Sequence, residues 1–377
     1  MTERWDAAVV GAGPAGSSAA AVLARAGRRV LLLEKDHFPR AKVCGEFLSA
    51  DARDSLDRLG ARDSVERLSP ERIGHGSIHP PRGPGVCFHL PSPGLGISRL
   101  VLDDLLARRA AQAGAELRFG CRAVSVEREP AGGFRIRAAQ ARVGVEVEAR
   151  AVVGAWGRWD SLDRSLERGF ASRRRRFLGW SRDYGGDTRL LAGQVRLYLF
   201  SGGYCGLSRV EGGMVNLAGV VSEETFRRAG SRWEAVCRNA RQSNPTLDAD
   251  LSALEPGPAG YLSTGPVFFT AKPPVENGIL MTGDAAGVID PFSGEGQAVA
   301  LASGILAADT IETGLSNGLS TEGMALAYAR AWRRRFSRRF RWSSILRLLM
   351  LNPALGAIAG RLAGERLVRF GIAATRR

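Results

Sequence analysis

The sequence predicts an α/β protein, in which a Rossmann-type unit carries an inserted antiparallel β-sheet domain and ends in a helical C-terminus. A short apolar strand, a glycine-rich turn and an alanine-rich helix follow one another within the first 26 residues. A second strand joins a helix through a Gly-Asp turn near residue 283. Between these junctions, alternating apolar and polar residues separated by paired glycines are typical of antiparallel strands.

The first 34 residues predict a β-α-β unit, with strands over 7–11 and 29–34 and a helix over 17–26. Such a unit needs a right-handed crossover and a parallel sheet. The later patterns predict strands over 116–127, 134–138, 143–153 and 280–283, a strand-rich region over 175–225, helices over 100–113, 295–311 and 321–350, and a proline-rich loop or strand edge over 80–93.

The turn after the first strand has the pattern Gly11-x-Gly13-x-x-Gly16, and Glu34 ends the second strand. The first glycine permits a tight turn, the second lets the backbone approach a pyrophosphate, and the third lets helix and strand pack closely. The helix N-terminus offers free N–H groups to phosphates, and the glutamate can accept hydrogen bonds from a ribose. The motif predicts a dinucleotide site at Gly11, Gly13, Ala15, Gly16, Glu34 and Lys35.

A second strand–helix junction spans residues 283–297. With the first glycine motif, it resembles flavoproteins of the para-hydroxybenzoate hydroxylase fold, in which the two motifs together bind FAD. The resemblance implies that Asp284 hydrogen-bonds the ribitol chain, with a helix cap as the alternative, and that residues 294–297 border the flavin N1–C2=O edge. The implied FAD contacts from this junction are Gly283, Asp284, Pro291, Gly294, Gly296 and Gln297.

Residues 40–46, taken with residues 290–296, resemble the geranylgeranyl reductase-like branch of that fold, which also contains flavin-dependent halogenases. The resemblance implies that this segment lies along the flavin, where Lys42 would neutralise the reduced ring and Cys44 would face it. An ordinary buried cysteine is the alternative for Cys44. In this fold an arginine that opens the next helix contacts the cofactor, and Arg99 is the candidate, with a solvated surface arginine as the alternative. The implied contacts from these segments are Lys42, Cys44, Gly45 and Arg99.

The sequence departs at two places from the proteins that it resembles. Trp156 replaces the aspartate with which hydroxylases of the fold help to dock a nicotinamide nucleotide, so either NAD(P)H or a partner reductase is expected as the electron donor. Tyr204 matches a Tyr-x-Trp-x-x-Pro-like segment that lies over the substrate in prenyl reductases, but the Trp and Pro are missing. Glu46 and Tyr204 are the candidates for contact with a lipophilic small-molecule substrate, and cross-strand packing is the alternative for Tyr204.

The resemblance favours an FAD-dependent monooxygenase of secondary metabolism that acts on a lipophilic polyketide or isoprenoid. A flavin-dependent C=C reductase of the geranylgeranyl reductase type is the alternative, and a flavin-binding membrane-associated protein without activity is the third hypothesis. Halogenation is disfavoured because the Trp-x-Trp-x-Ile-Pro signature is absent. No catalytic residue is assigned, and the spacing of histidines and cysteines predicts no metal site.

The positive charge is concentrated at the C-terminus. The formal net charge is +15, and residues 330–377 hold thirteen arginines against one acidic residue, Glu365. Aromatic residues recur every four positions from Tyr328 to Phe340 and predict a stripe on one helix. Packing of this stripe on the FAD-binding unit is the favoured interpretation, with peripheral contact to anionic lipid as the alternative; nucleic acid is disfavoured.

These motifs divide the 377 residues into a discontinuous FAD-binding domain, a substrate domain and a C-terminal segment. Five cysteines without a CxxC pair indicate a reducing compartment, and the N-terminus lacks a secretory signal. We therefore expect a cytoplasmic protein. If the C-terminal segment contacts anionic lipid, the protein would also be peripheral on the membrane. The predicted ranges are 1–75, 95–165 and 260–325 for the FAD-binding domain, 76–94 and 166–259 for the substrate domain, and 326–377 for the helical Arg-rich C-terminal segment.

Overall fold

The computed structural model describes residues 3–141, 143–172 and 177–351 of the chain. Within these ranges the chain forms one largely parallel sheet, one largely antiparallel sheet, and helices that pack on both. The strands are β1 (Glu3–Val10), β2 (Val30–Leu33), β3 (Phe47–Leu48), β4 (Glu71–His79), β5 (Val86–Gly96), β6 (Glu116–Arg118), β7 (Cys121–Arg128), β8 (Phe134–Gln140), β9 (Val143–Gly154), β10 (Phe177–Gly186), β11 (Gln194–Phe200), β12 (Gly203–Arg209), β13 (Val215–Ser222), β14 (Leu254–Pro256), β15 (Leu262–Val267), β16 (Val275–Glu276) and β17 (Ile279–Met281). The helices are α1 (Pro14–Arg25), α2 (Arg53–Arg58), α3 (Arg62–Arg67), α4 (Arg99–Gln112), α5 (Ser161–Ser165), α6 (Glu223–Arg228), α7 (Trp233–Ser243), α8 (Pro245–Ser252), α9 (Gly296–Ser316) and α10 (Thr321–Leu351).

The first sheet has the strand order β16-β17-β9-β1-β2-β6, and β8 and β7 continue from β9 as an antiparallel ribbon. β1 pairs in parallel with β2 and β9, and β9 pairs in parallel with β17. β2 is buried along its whole length, as expected for a central strand covered on both faces. Because these four strands are parallel, their carboxyl ends meet at one edge of the sheet.

Helices α1, α4, α9 and α10 pack around the first sheet in one hydrophobic core. A Cβ at Gly304 of α9 would lie 2.0 Å from the Ala15 carbonyl oxygen, so only glycine allows α1 and α9 to approach this closely. The aromatic stripe of α10 is buried in this core, and Tyr328 Oη donates to the Met281 carbonyl at 2.6 Å. Among the described residues, α9 alone is long and apolar enough to span a membrane, and 67% of its apolar 18-residue stretch is buried inside the protein.

The second sheet has the strand order β14-β10-β13-β12-β11-β4-β5-β3, with β15 also paired to β10. Helices α6, α7 and α8 border a core that contains Trp180 and Tyr198. A smaller apolar cluster, which includes Phe88 and Val220, also lies on this sheet and borders a cavity described below. The sheet therefore joins a closed core to an open apolar wall.

The structure agrees with one of the less regular sequence-based expectations and differs from two others. The proline-rich run 80–93, predicted as a loop or a strand edge, is a loop up to position 85 and then the part of β5 that pairs with β4 alone. Pro91 and Pro93 lie in a bulge of β5 between His89, which pairs with His75, and Gly94, which pairs with Ile73, so no ladder N–H is needed there. Helices α6 to α8 were not predicted. β3 and β15 belong to the second sheet although they lie in ranges predicted for the FAD-binding domain.

The last predicted segment, 326–377, is described only to Leu351, where it forms the greater part of α10. The arginines and apolar residues from position 352 onward lie outside the described residues. The fold class itself, an α/β unit with an inserted largely antiparallel sheet and a C-terminal helix, agrees with the sequence-based prediction.

Candidate active site

The carboxyl ends of β1, β2, β9 and β17 open into two adjoining cavities. The central cavity, of about 220 Å³, is lined by residues of this edge and of the second sheet. The edge cavity, of about 270 Å³, extends along the ends of β1 and β2. Parallel α/β sheets bind their ligands in such a crevice. Both cavities share the lining residues Gly13, Lys42, Val43, Ala155 and Arg158.

The structure brings all but one of the predicted site residues to these walls. Gly16 lies on neither wall, because it is at the contact between α1 and the glycine turn. An added Cβ there would stand 1.8 Å from the Gly11 carbonyl oxygen. The edge cavity is lined by Gly11, Gly13, Glu34, Lys35 and Lys42. The central cavity is lined by Gly13, Ala15, Lys42, Cys44, Gly45, Glu46, Arg99, Tyr204, Gly283, Asp284, Pro291, Gly294, Gly296 and Gln297. Their individual contacts with a ligand stay predictions.

The glycine turn forms the boundary between the two cavities. Gly11 has a φ of 103°, and a Cβ there would lie 2.4 Å from the Ala155 carbonyl oxygen, so this position requires glycine. A Cβ at Gly13 would meet only Arg99 Nη2, at 3.7 Å, and would otherwise point into open space. Gly13 therefore keeps a space free beside the N-terminus of α1, where phosphates bind in such turns.

Glu34 is buried at the edge cavity and is fixed by backbone amides. Its carboxylate accepts hydrogen bonds from the N–H groups of Ala12 at 2.8 Å and Asp36 at 3.1 Å. Beside it, Lys35 Nζ donates to Asp160 Oδ2 at 3.0 Å. The carboxylate thus has a defined orientation at the end of β2, where the glycine motif predicts a ribose.

A group of cations surrounds the boundary between the cavities. Arg99 is paired with Asp103 through two hydrogen bonds of 2.6 and 2.7 Å. The Lys42 ammonium has no hydrogen-bond partner in the described part of the chain. Burial lowers the pKa of Lys42 to about 8, and the guanidinium groups of Arg99 and Arg40 add to this effect. An enclosed ammonium without an acceptor is costly, so this site favours an anionic ligand.

Asp284 is held by Arg158, which the sequence did not single out. Arg158 Nε donates to Asp284 Oδ2 at 3.1 Å, and Arg158 Nη2 donates to the Val43 carbonyl at 2.8 Å. Lys272 Nζ ties the same two segments together by donating to the carbonyls of Arg158 and Asp284. The N-cap of the turn that contains Asp284 is Thr282, so Asp284 is not its capping residue. Position 158 lies four residues after the end of β9, and this nearness to a strand end is the one sequence signal that could have identified it.

The loop from Asp290 to Gln297 faces the central cavity. Asp290 Oδ1 accepts hydrogen bonds from Tyr204 Oη at 2.6 Å and from the Phe292 N–H at 3.0 Å, while the Asp290 N–H donates to Ser343 Oγ of α10. Burial and the Asp290 carboxylate raise the pKa of Tyr204 well above its ordinary value. Tyr204 thus links the second sheet to this loop, and it is not merely a cross-strand packing residue.

The 290–297 loop also contacts the 40–46 segment. Gln297 Nε2 lies 3.6 Å from Cys44 Sγ, whereas Gln297 Oε1 is buried without a hydrogen-bond partner in the described ranges. A Cβ at Gly294, which has a φ of 67°, would lie 2.8 Å from the Phe47 ring. The two segments that resembled flavin-contacting segments in the sequence therefore meet at one place.

Across the central cavity, the second sheet contributes an apolar wall. Most of its side chains come from strands of this sheet, Phe269 follows β15, and the ring of Phe292 on the 290–297 loop continues the wall. The members of this apolar wall are Phe88, Leu90, Val195, Leu197, Val220, Val267, Phe269 and Phe292. One end of the cavity is thus cationic and polar, and the other accommodates an apolar molecule.

The residues present fit FAD. Gly13 leaves room for a pyrophosphate beside a helix N-terminus, and the unpaired Lys42 ammonium supplies positive charge there. The unpaired Gln297 Oε1 provides an acceptor for a polar ring edge. The edge cavity with Glu34 would hold the adenosine half, and the 290–297 loop would border the flavin. In its reduced form, FAD supplies a hydride.

Comparison with known proteins identifies the family. The first part of the chain matches a family model described as an FAD binding domain, over residues 4–177. The menaquinone reductase of Mycobacterium tuberculosis is 31% identical over 325 residues, which cover 82% of this chain and 76% of that protein. The chain belongs to the geranylgeranyl reductase-like branch of the FAD-dependent oxidoreductases. A digeranylgeranylglycerophospholipid reductase of Methanothrix thermoacetophila is 28% identical to this oxidoreductase over 343 residues, which cover 88% of this chain and 83% of that one.

Solved structures share the fold of this oxidoreductase. A geranylgeranyl bacteriochlorophyll reductase-like protein of Thermoplasma acidophilum superposes with a TM-score of 0.79 at 22% identity, covering 99% of this chain and 92% of the other. Flavin-dependent halogenases are also among the structural neighbours, at 19 to 22% identity, and these likenesses concern the fold alone. The comparisons confirm the predicted fold class, the family and FAD as the cofactor.

Proposed function

We propose that this FAD-dependent oxidoreductase reduces carbon–carbon double bonds in the prenyl chain of a lipophilic substrate. The observation that carries the proposal is the apolar wall opposite the 290–297 loop. A prenyl chain offers no hydrogen-bonding groups along its length, so its burial against such a wall is favourable. Its double bonds could then lie beside the loop that is predicted to border the flavin.

Relatives that resemble this chain over most of its length support the proposal. Two of them are named menaquinone reductase and digeranylgeranylglycerophospholipid reductase. The electron donor, NAD(P)H or a partner reductase, stays a prediction. A cytoplasmic location with peripheral membrane contact is likewise proposed, because a lipid-borne prenyl chain would have to be drawn from a membrane.

Oxygenation of a lipophilic metabolite, which the sequence favoured, is the second candidate. The observation that favours it is the segment around Tyr204, which lacks the Trp and Pro of prenyl reductases. Oxygenation and reduction use the same reduced cofactor, but only oxygenation consumes O2. The two functions therefore predict different products from one substrate.

The experiment offers menaquinone with a geranylgeranyl side chain, and separately a digeranylgeranyl glycerophospholipid, to the FAD-loaded enzyme with dithionite under strictly anaerobic conditions. Because dithionite alone converts the quinone into its quinol, the menaquinone sample is reoxidised in air before analysis. Mass spectrometry should then detect a prenyl chain heavier by two hydrogen atoms in both substrates. Reaction only after O2 is admitted, with an oxygen atom in the product, would replace the proposal by its second candidate. The matched control is the same mixture with free FAD in place of the enzyme.

A further inference from the structure

Glu46 has an unusual position in the wall of the central cavity. Its backbone has a φ of 53°, in the left-handed region that side-chain-bearing residues seldom adopt. The Ile97 N–H donates to the Glu46 carbonyl at 2.9 Å and holds this conformation in place. The next residue, Phe47, contacts Gly294 of the 290–297 loop. The carboxyl group is therefore fixed beside the loop that is predicted to border the flavin.

The two carboxyl oxygens of Glu46 have different surroundings. Oε1 accepts the Arg99 N–H at the start of α4, at 2.9 Å. Oε2 has no hydrogen-bond partner in the residues that the structure describes, and the side chain lines the central cavity. One oxygen thus anchors the group, and the other is available to a molecule in the cavity.

The charged groups around Glu46 favour its protonated form. Burial raises the pKa of Glu46 to about 8; the carboxylates of Asp183 on β10 and Glu211 before β13 act in the same direction, and Arg99 on α4 opposes them. Cys44, on its own segment, lies close enough for its Sγ to accept the Glu46 N–H at 3.4 Å. At neutral pH this carboxyl group therefore keeps a proton that an exposed glutamate would have lost.

Three other titratable groups that line this cavity are engaged elsewhere. The Tyr204 hydroxyl donates to Asp290 and already accepts the Phe292 N–H. Asp284 is ion-paired with Arg158. Lys42 stands at the boundary with the edge cavity, where an anion is expected. Glu46 combines a held proton with a free oxygen on the cavity side.

We propose that Glu46 donates the proton that completes reduction of the substrate double bond, an inference that rests on the proposed function. Saturation of C=C requires one hydride and one proton. The hydride comes from the reduced FAD, which is oxidised. The O–H bond of Glu46 breaks, its proton forms a C–H bond at the carbon that does not receive the hydride, and solvent reprotonates the carboxylate.

The test compares Glu46→Gln and Glu46→Asp with the wild-type enzyme. Gln retains an acceptor for the Arg99 N–H but has no acidic proton. Turnover of the menaquinone with a geranylgeranyl side chain should therefore fall about 100- to 10,000-fold. The affinities for FAD and for this menaquinone should stay within about threefold of the wild-type values. Asp should retain part of the rate. Wild-type turnover should decline as pH rises through about 8. A Gln variant as fast as wild type would overturn the inference but leave the proposed function intact.

A second readout does not depend on turnover. The unfolded chain releases the Glu46 proton near the ordinary glutamate pKa of 4.5, whereas the folded protein holds it until about pH 8. The wild-type melting temperature, measured relative to that of Glu46→Gln, should therefore fall as pH rises from about 5 to 8. A pH-independent difference would overturn the inference. A wild-type enzyme that shows this pH dependence but never reduces the probe would instead contradict the proposed function.

Glu211→Gln serves as the matched control, because Glu211 lies outside the cavity wall and interacts with the backbone and hydroxyl of Ser98. Removal of its negative charge should lower the pKa of Glu46, so the alkaline decline in turnover should begin at a lower pH. The rate below the decline should stay near the wild-type value. An unshifted profile would indicate that another group donates the proton.

Discussion

Gly13 and Gly16 are three positions apart in one motif, yet the structure gives them different tasks. Gly13 borders open space in both cavities, whereas Gly16 is pressed against the carbonyl of Gly11. The motif predicted both roles, because its spacing is dictated by turn geometry and helix packing. Spacing could not identify Arg158 or Lys272, since their partners are set by tertiary contacts over long sequence separations. The Glu46 backbone conformation likewise leaves no signal in the sequence.

Gly13→Val should yield a folded apoprotein. The valine side chain would occupy the space predicted for the pyrophosphate, while the nearest protein atom to a Cβ there is at an ordinary contact distance. Gly16→Val should instead impair folding, because its Cβ overlaps a backbone oxygen. The measurements are the FAD content, compared with the wild-type protein as purified, and the melting temperature, compared with wild-type apoprotein. Stoichiometric FAD in the Gly13 variant would contradict the assignment of this turn.

Asp284→Ala should weaken FAD binding about 10- to 100-fold while the fold persists. Loss of one hydrogen bond to a buried ligand costs on the order of 1–3 kcal/mol, and the variant also leaves Arg158 without its carboxylate. Fluorescence titration of apoprotein with FAD gives the dissociation constant. Asp309→Ala, which removes an aspartate from an exposed ion pair with Arg58, is the control and should leave affinity unchanged. Equal affinities in both variants would leave Asp284 with a structural role only.

At the scale of elements, the sequence predicted the helices and strands whose apolar residues recur at a regular spacing. The β-α-β unit, α4 and α10 have uniform apolar faces, and the structure contains each of them. α7 was missed although Trp233, Val236 and Ala240 recur at helical spacing, because polar residues between them obscured the pattern. The pairing of β3 with β5 was beyond prediction, since a two-residue strand exists only through its partner. The existence of so short a strand depends on tertiary contacts.

α10 presents two faces with different chemistry. Trp332 and Phe336 are buried in the core, whereas Arg333, Arg334 and Arg338 are exposed. The packing of the aromatic face is therefore compatible with lipid contact by the arginine face. Each basic residue near an anionic membrane contributes about 1 kcal/mol. The contact itself stays a proposal.

Replacement of Arg333, Arg334 and Arg338 by Gln should weaken binding to anionic liposomes about 100-fold, at about 1 kcal/mol per arginine, without lowering the melting temperature. Co-sedimentation at low and high salt measures this, since salt screens exposed charges over roughly 8–10 Å. The matched control removes three exposed arginines elsewhere. These are Arg189, Arg227 and Arg228. Equal partition of the wild-type protein into neutral and anionic vesicles would exclude a specific contact between the arginine face of α10 and anionic lipid.

At the scale of the whole molecule, the two sheets divide the work of the site. The first sheet supplies the glycine turn, the cations and Glu34 at its carboxyl edge, and the second supplies the apolar wall. The sequence predicted the first half in detail because its motifs are local. The substrate half could not be predicted equally well, because alternating strands reveal which faces are apolar but not which face meets a cofactor.

Reduction of the bound flavin by NADPH or NADH alone should be slow. Trp156 stands where related hydroxylases have an aspartate, and its indole N–H is engaged with Asp163 Oδ1 at 3.1 Å. Stopped-flow absorbance of the flavin measures the rate, with dithionite as the control that the flavin is reducible. The test is run with and without a lipophilic ligand. Rapid bleaching by NADPH without ligand would show that the nucleotide docks by another route.

The central claim is that reduced FAD in this chain passes its hydride to a prenyl double bond. The most direct measurement is anaerobic stopped-flow spectroscopy of the dithionite-reduced enzyme, freed of excess reductant and mixed with menaquinone that carries a geranylgeranyl side chain. Because the quinone ring can itself oxidise flavin, the digeranylgeranyl glycerophospholipid is mixed in parallel. We predict that the flavin absorbance returns with both probes in step with the formation of a partially saturated prenyl chain. Flavin that stays reduced with the phospholipid until O2 is admitted, with no saturated product, would contradict the account.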